Sequence, residues 1–301
     1  MRVKEGYPSP PSALVKRCKP YANEAMPPFL TVLTNRSVIR ISGEDRRVFL
    51  QGLISNDINL CTPLQPVYAA LLTPQGKFLY DLFIVDTGDT FLVDCEAVRA
   101  GSLLKRLGMY KLRAMIDLEN MPDAYEVWAG SEITIDGASA YMDPRLPSLG
   151  MRAIIRKSDS KPPDDFKIYD KLRLSLGVPD GSRDMLVEKS TLLECNLDRL
   201  NAISWTKGCY IGQELTARMH YRGLAKKRLF PVEIEGAAPD LGSVIQWSGE
   251  DIGDMRSSCE TVGLALLNIE KAQKALQEGA FLKCGESRLR VLNSPVTEIK
   301  E

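Results

Sequence analysis

Lys207-Gly208-Cys209-Tyr210-Ile211-Gly212-Gln213-Glu214 sets a cysteine between two glycines, just ahead of a stretch with Leu215, Arg218 and Met219 whose spacing predicts a helix. Gly208 and Gly212 permit tight backbone geometry around that thiol. A cysteine near a helix N-terminus and two residues from Lys207 is placed to favour the thiolate, the form that attacks or ligates metal. The competing reading is a small buried hydrophobe, the commoner fate of a free cysteine. From Trp205 to Phe230 six basic side chains oppose one acid, Glu214; an acidic partner, a polyanionic ligand tail and a plain solvated surface all accommodate that excess.

Upstream, Val67 to Leu72 and Phe78 to Asp86 read as strands around Thr73-Pro74-Gln75-Gly76-Lys77, where proline presets a turn and glycine supplies a left-handed closing residue. On the second strand both faces are apolar except at Asp81, so this carboxylate needs either a protein donor or a ligand that donates hydrogen bonds, such as a pterin. Ser37 to Ile41 and Thr90 to Cys95 read as further strands, Glu44 to Leu53 and Ala97 to Leu107 as helices, and Leu112 to Leu118 as a strand. A second alternating block covers Tyr125 to Trp128, Ile133 to Ile135 and Arg152 to Ile155, followed by a helix that opens at Pro162–Asp165 and stops at Gly177. Short strands at Arg228 to Ile234, Ser243 to Trp247, Thr261 to Leu267, Phe281 to Cys284 and Leu289 to Leu292 predict a small terminal barrel or sandwich.

The chain has 301 residues, enough for about two domains, and its 44% apolar and 26% charged residues are those of a globular protein. Thirty-nine basic side chains cancel 39 acidic ones, which argues against direct nucleic-acid binding, and no apolar run is long enough to span a membrane. Seven cysteines without a C-x-x-C pair, and a single histidine, His220, exclude a disulfide scaffold and a self-sufficient multi-histidine metal site. Residues 1–28 hold six prolines and mixed charges; they read as a poorly ordered arm without a clean presequence, which favours a bacterial cytoplasm.

With Leu215-Thr216-Ala217-Arg218, the Lys207–Glu214 motif closely resembles the YgfZ branch of the folate-binding family related to the glycine-cleavage T protein. Supporting stretches are Phe49 to Asp57, Gly76 to Leu82, Leu172 to Pro179, Glu194 to Asp198 and the closing strands, and Arg228 to Val232 looks especially like the mitochondrial iron–sulfur assembly relatives. The resemblance implies an α+β, ring-like, multi-domain architecture with mixed α/β sheets: a folate-binding core at 29–225, built of two intertwined subdomains, and a C-terminal β-barrel at 226–301. It implies an accessory factor for iron–sulfur cluster assembly and maturation of 4Fe–4S proteins, without classical enzymatic turnover. Cys209 and Lys207 would carry the chemistry, Cys209 also as a ligand of a transient 2Fe–2S cluster shared with an A-type iron–sulfur scaffold protein. Asp81, Glu194, Gln213 and Arg218 would hold tetrahydrofolate. A eukaryotic member of this branch would work in the mitochondrial matrix. Two other functions stay open: a tetrahydrofolate-dependent aminomethyltransferase and a folate-dependent regulator of RNA modification. Tyr80 and Ser175 stand where the transferases resemble one another in carrying acids, which turns the implication away from transfer.

Overall fold

The computed structural model describes residues 28–135, 138–157 and 164–297; most of the N-terminal arm, with Cys18, lies outside them, as do Pro162 and Pro163. Two antiparallel sheets form the larger part. The first orders its strands Val67–Leu72, Phe78–Asp86, Thr90–Glu96, Arg36–Ser42 and Asp117–Asn120, and the second Leu30–Val32, Tyr125–Gly130, Met151–Arg156 and Ser139–Met142.

All nine residues of Phe78–Asp86 are buried, because the first sheet is covered on both faces. Tyr80, Leu82 and Ile84 pack toward the helices Arg46–Gln51 and Ala100–Lys111, through Leu50, Leu103 and Leu107. Phe83 packs on the opposite side with Tyr68, Leu197, Leu200 and Met219, so an irregular segment and the helix Gln213–Tyr221 close that face. Each of these large apolar side chains contributes roughly 1.5–3 kcal/mol through burial.

The C-terminal part is a closed antiparallel barrel in the order Lys227–Glu235, Val262–Asn268, Glu250–Cys259, Val244–Trp247, Phe281–Cys284, Ser287–Val291 and back to the first strand. It includes a strand, Glu250–Cys259, and a helix, Ile269–Glu278, beyond those read from sequence. Three local expectations change. Leu112 to Ile116 is not strand, pairing being confined to Asp117–Asn120, and Ile133 to Ile135 is unpaired. The helix after the second sheet spans Phe166–Ser175.

Candidate functional site

Residues 207–212 form a loop ahead of the Gln213–Tyr221 helix, and Lys207, Tyr210 and Gly212 are buried in it. Gly212 adopts φ 82° at the helix start, and a Cβ there would stand 2.5 Å from the Thr73 carbonyl oxygen. Tyr210 is buried. The Lys207 ammonium donates to the carbonyl oxygens of Gln51, Ile54 and Asn56 at 2.7, 2.8 and 2.7 Å, and lies 5.1 Å from the Tyr210 ring centre. Burial pulls that ammonium down from 10.5 to about 8, with Asp57 opposing. Lys207, expected to assist the thiol, therefore spends its three donors on backbone carbonyls instead.

Cys209 is exposed at the crest of this loop. It precedes the helix by four residues, outside the first turn, so the helix-dipole argument made for it from sequence does not apply. Cys61, Cys95, Cys195 and Cys284 are buried, and Cys259 is partly so. Burial pushes the thiols of Cys61, Cys95 and Cys195 up to about 12 and raises those of Cys259 and Cys284. Among the described cysteines, Cys209 is the one that meets solvent freely. Among the described residues no group of three or more His, Cys, Asp or Glu side chains could hold a metal ion.

Asp81 takes the first of its two possible partners, a protein donor. Its carboxylate accepts Arg36 Nη1 at 3.0 and 3.2 Å, and both side chains are buried. Arg36 Nε also donates to Asp94 at 2.6 Å; Arg152 takes the other Asp94 oxygen at 2.6 Å. Arg145 holds Asp143 at 3.0 and 2.7 Å and, like Arg152, reaches the Tyr169 hydroxyl. Burial opposes the Asp143 charge, but Arg145 and Arg152 outweigh it and lower its carboxyl. The guanidiniums of Arg36, Arg145 and Arg152 lie 5.4, 4.9 and 3.9 Å from the Phe83 ring centre. Three arginines and three aspartates balance, so this buried network needs no ligand for neutrality. Sequence reasoning named none of these partners; its one signal was the demand of a carboxylate on an apolar strand.

The other expected ligand residues do not join Asp81. Glu194 accepts from the amide and hydroxyl of Thr191 at 3.2 and 2.7 Å. Gln213 opens the helix, and Arg218 is exposed on it. A cleft of about 690 Å³, bordered by Asn56, Tyr68, Asp143, Ser204, Trp205 and Thr206, is of a size for folate but is lined by none of the four. The Tyr68 hydroxyl, buried and without a hydrogen-bond partner, belongs to a residue of that cleft. The expected residues thus do not fit tetrahydrofolate as a set.

A family model for the CAF17 C-terminal beta-barrel domain matches residues 226–296. The mitochondrial iron–sulfur cluster assembly factor IBA57 of Mus musculus is 33% identical, the match covering 88% of this chain and 84% of that protein. The chain belongs to the IBA57 family of iron–sulfur cluster assembly factors. IBA57 of Homo sapiens is 34% identical over 81% of this chain and 78% of its own. The chain's fold is similar to that of the glycine cleavage system aminomethyltransferase T from Bartonella henselae, which superposes with a TM-score of 0.65 at 14% identity, covering 89% of this chain and 86% of that one. No helix among the described residues is long and apolar enough to cross a membrane.

Proposed function

We propose that the protein assists iron–sulfur cluster assembly by offering the Cys209 thiolate as one ligand to a 2Fe–2S cluster whose remaining ligands come from an A-type scaffold protein, on the way to 4Fe–4S clients. The observation that carries this reading is the setting of Cys209: an exposed thiol on an anchored loop, in a structure whose described residues hold no group of three or more His, Cys, Asp or Glu side chains able to bind a metal ion. Such a thiol can complete a partner's site but cannot hold a cluster alone. Membership of a family of iron–sulfur cluster assembly factors supports a role in that process. The mitochondrial relatives support work in the mitochondrial matrix for a eukaryotic member of this family.

Tetrahydrofolate bound to this chain would occupy the Tyr68 cleft, where Tyr68 Oη, and not Asp81, is the buried polar atom left free. No step is assigned to it. In cells lacking the protein, the activities of 4Fe–4S enzymes should fall and the wild-type chain should restore them. Full restoration by Cys209→Ser would overturn the proposed role of the thiol.

A further inference from the structure

The segment that carries Cys209 runs along the turn after the first helix and is fastened to it at three points. The Ser204 amide donates to the Ser55 carbonyl at 3.0 Å and the Ile211 amide to the Gly52 carbonyl at 3.2 Å. Between these lie the three bonds from the Lys207 ammonium. An ammonium has three N–H donors and no acceptor, and here three carbonyl oxygens match them one for one. The carbonyls belong to the end of the Arg46–Gln51 helix and the turn beyond it. Backbone oxygens there lack intrahelical partners, and the negative end of the helix dipole favours a cation.

Gly208 and Cys209 stand clear. A Cβ at Gly208 would meet nothing within 4 Å, and Cys209 is exposed. Asn56, whose carbonyl Lys207 grips, lines the 690 Å³ cleft, as do Ser204 and Thr206. One ammonium therefore joins the two chain segments that border the cleft and fixes the base of the thiol crest.

We infer that Lys207 is a positioning residue: its ammonium closes a three-carbonyl socket and so sets how the crest presents Cys209 Sγ to a partner. The inference rests on the reading of Cys209 as the working thiol, yet the socket is measurable without any cluster.

Amide hydrogen exchange followed by mass spectrometry tests it on the full chain. In Lys207→Met, which keeps the stem and removes the charge, exchange over residues 204–212 should accelerate about tenfold while the barrel amides keep their protection. In Lys207→Ala, ethylammonium should restore slow exchange over the same residues, and sodium at equal ionic strength should not. Unchanged exchange at Ile211 in the Met variant, acceleration spread evenly through the barrel, or no rescue by ethylammonium would each overturn the inference. Should both variants fail to fold, the wild-type protein decides. Reductive methylation should spare Lys207 under conditions that dimethylate the exposed Lys226 and Lys227, and modification of Lys207 at their rate would refute the socket.

Discussion

Gly212 and Gly76 meet face to face: a Cβ on Gly212 would stand 3.0 Å from Gly76 Cα, and one on Gly76 would stand 2.8 Å from the Gly212 carbonyl oxygen. The thiol loop is thereby seated on the turn between the strands Val67–Leu72 and Phe78–Asp86. Both glycines have positive φ, 82° and 77°, which adds a conformational penalty to the steric one for any other residue. Gly212→Ala should cost at least about 2 kcal/mol, read as a shift in the urea midpoint. Wild-type stability in this variant would mean that the two turns do not touch.

The Asp81–Arg36 pair makes Asp81 a structural residue. Asp81→Asn removes the charge that balances a buried guanidinium and should lower stability by about 3 kcal/mol in chemical denaturation. Titration calorimetry with tetrahydrofolate should give the same result for this variant as for the wild type. A stable variant with altered folate binding would return Asp81 to the ligand.

Acid should loosen the same interior. Burial opposes ionisation of Asp180, but Arg173, Arg36 and Arg183 outweigh it and hold its carboxyl at about 2, below the ordinary 3.8. Because the folded value is the lower one, the stabilisation is fully present above pH 3.8 and disappears as pH falls through about 2. The shift corresponds to about 2 kcal/mol at neutral pH. Asp180→Asn should flatten the stability curve between these limits, measured by thermal unfolding at a series of pH values; an unchanged slope would remove Asp180 from the network.

Thiol reactivity should follow burial. Cys209 should be alkylated first by iodoacetamide in the native protein, ahead of Cys61, Cys95, Cys195, Cys259 and Cys284, whose thiols burial pushes up. Peptide mapping after a short pulse reads the order directly. Equal labelling of Cys209 and Cys195 would show the crest to be closed in solution.

The elements legible in the sequence were those in which local pattern and burial agree. Phe78–Asp86 reads as a doubly covered strand because apolar residues occupy both faces, and the terminal strands read as a barrel from their even spacing. Ile269–Glu278 was missed although its cap signals are present: Asn268 accepts from the Lys271 amide at one end, and Gly279 turns left-handed at the other. Asp81 announced that it needed a partner but not which one, since Arg36 lies 45 residues away. Lys207 was harder still. Its acceptors are backbone carbonyls more than 150 residues distant, and a carbonyl leaves no mark in a sequence.

As proposed, Cys209 ligates a cluster held jointly with a scaffold protein. Anaerobic mixing of the full chain with an A-type scaffold carrying a 2Fe–2S cluster, followed by native mass spectrometry and visible absorption, tests it most directly. The expected result is a heterodimer that retains one 2Fe–2S cluster, with an absorption spectrum distinct from that of the scaffold alone, and loss of that species with Cys209→Ser. An identical cluster-bearing heterodimer formed by Cys209→Ser would contradict it.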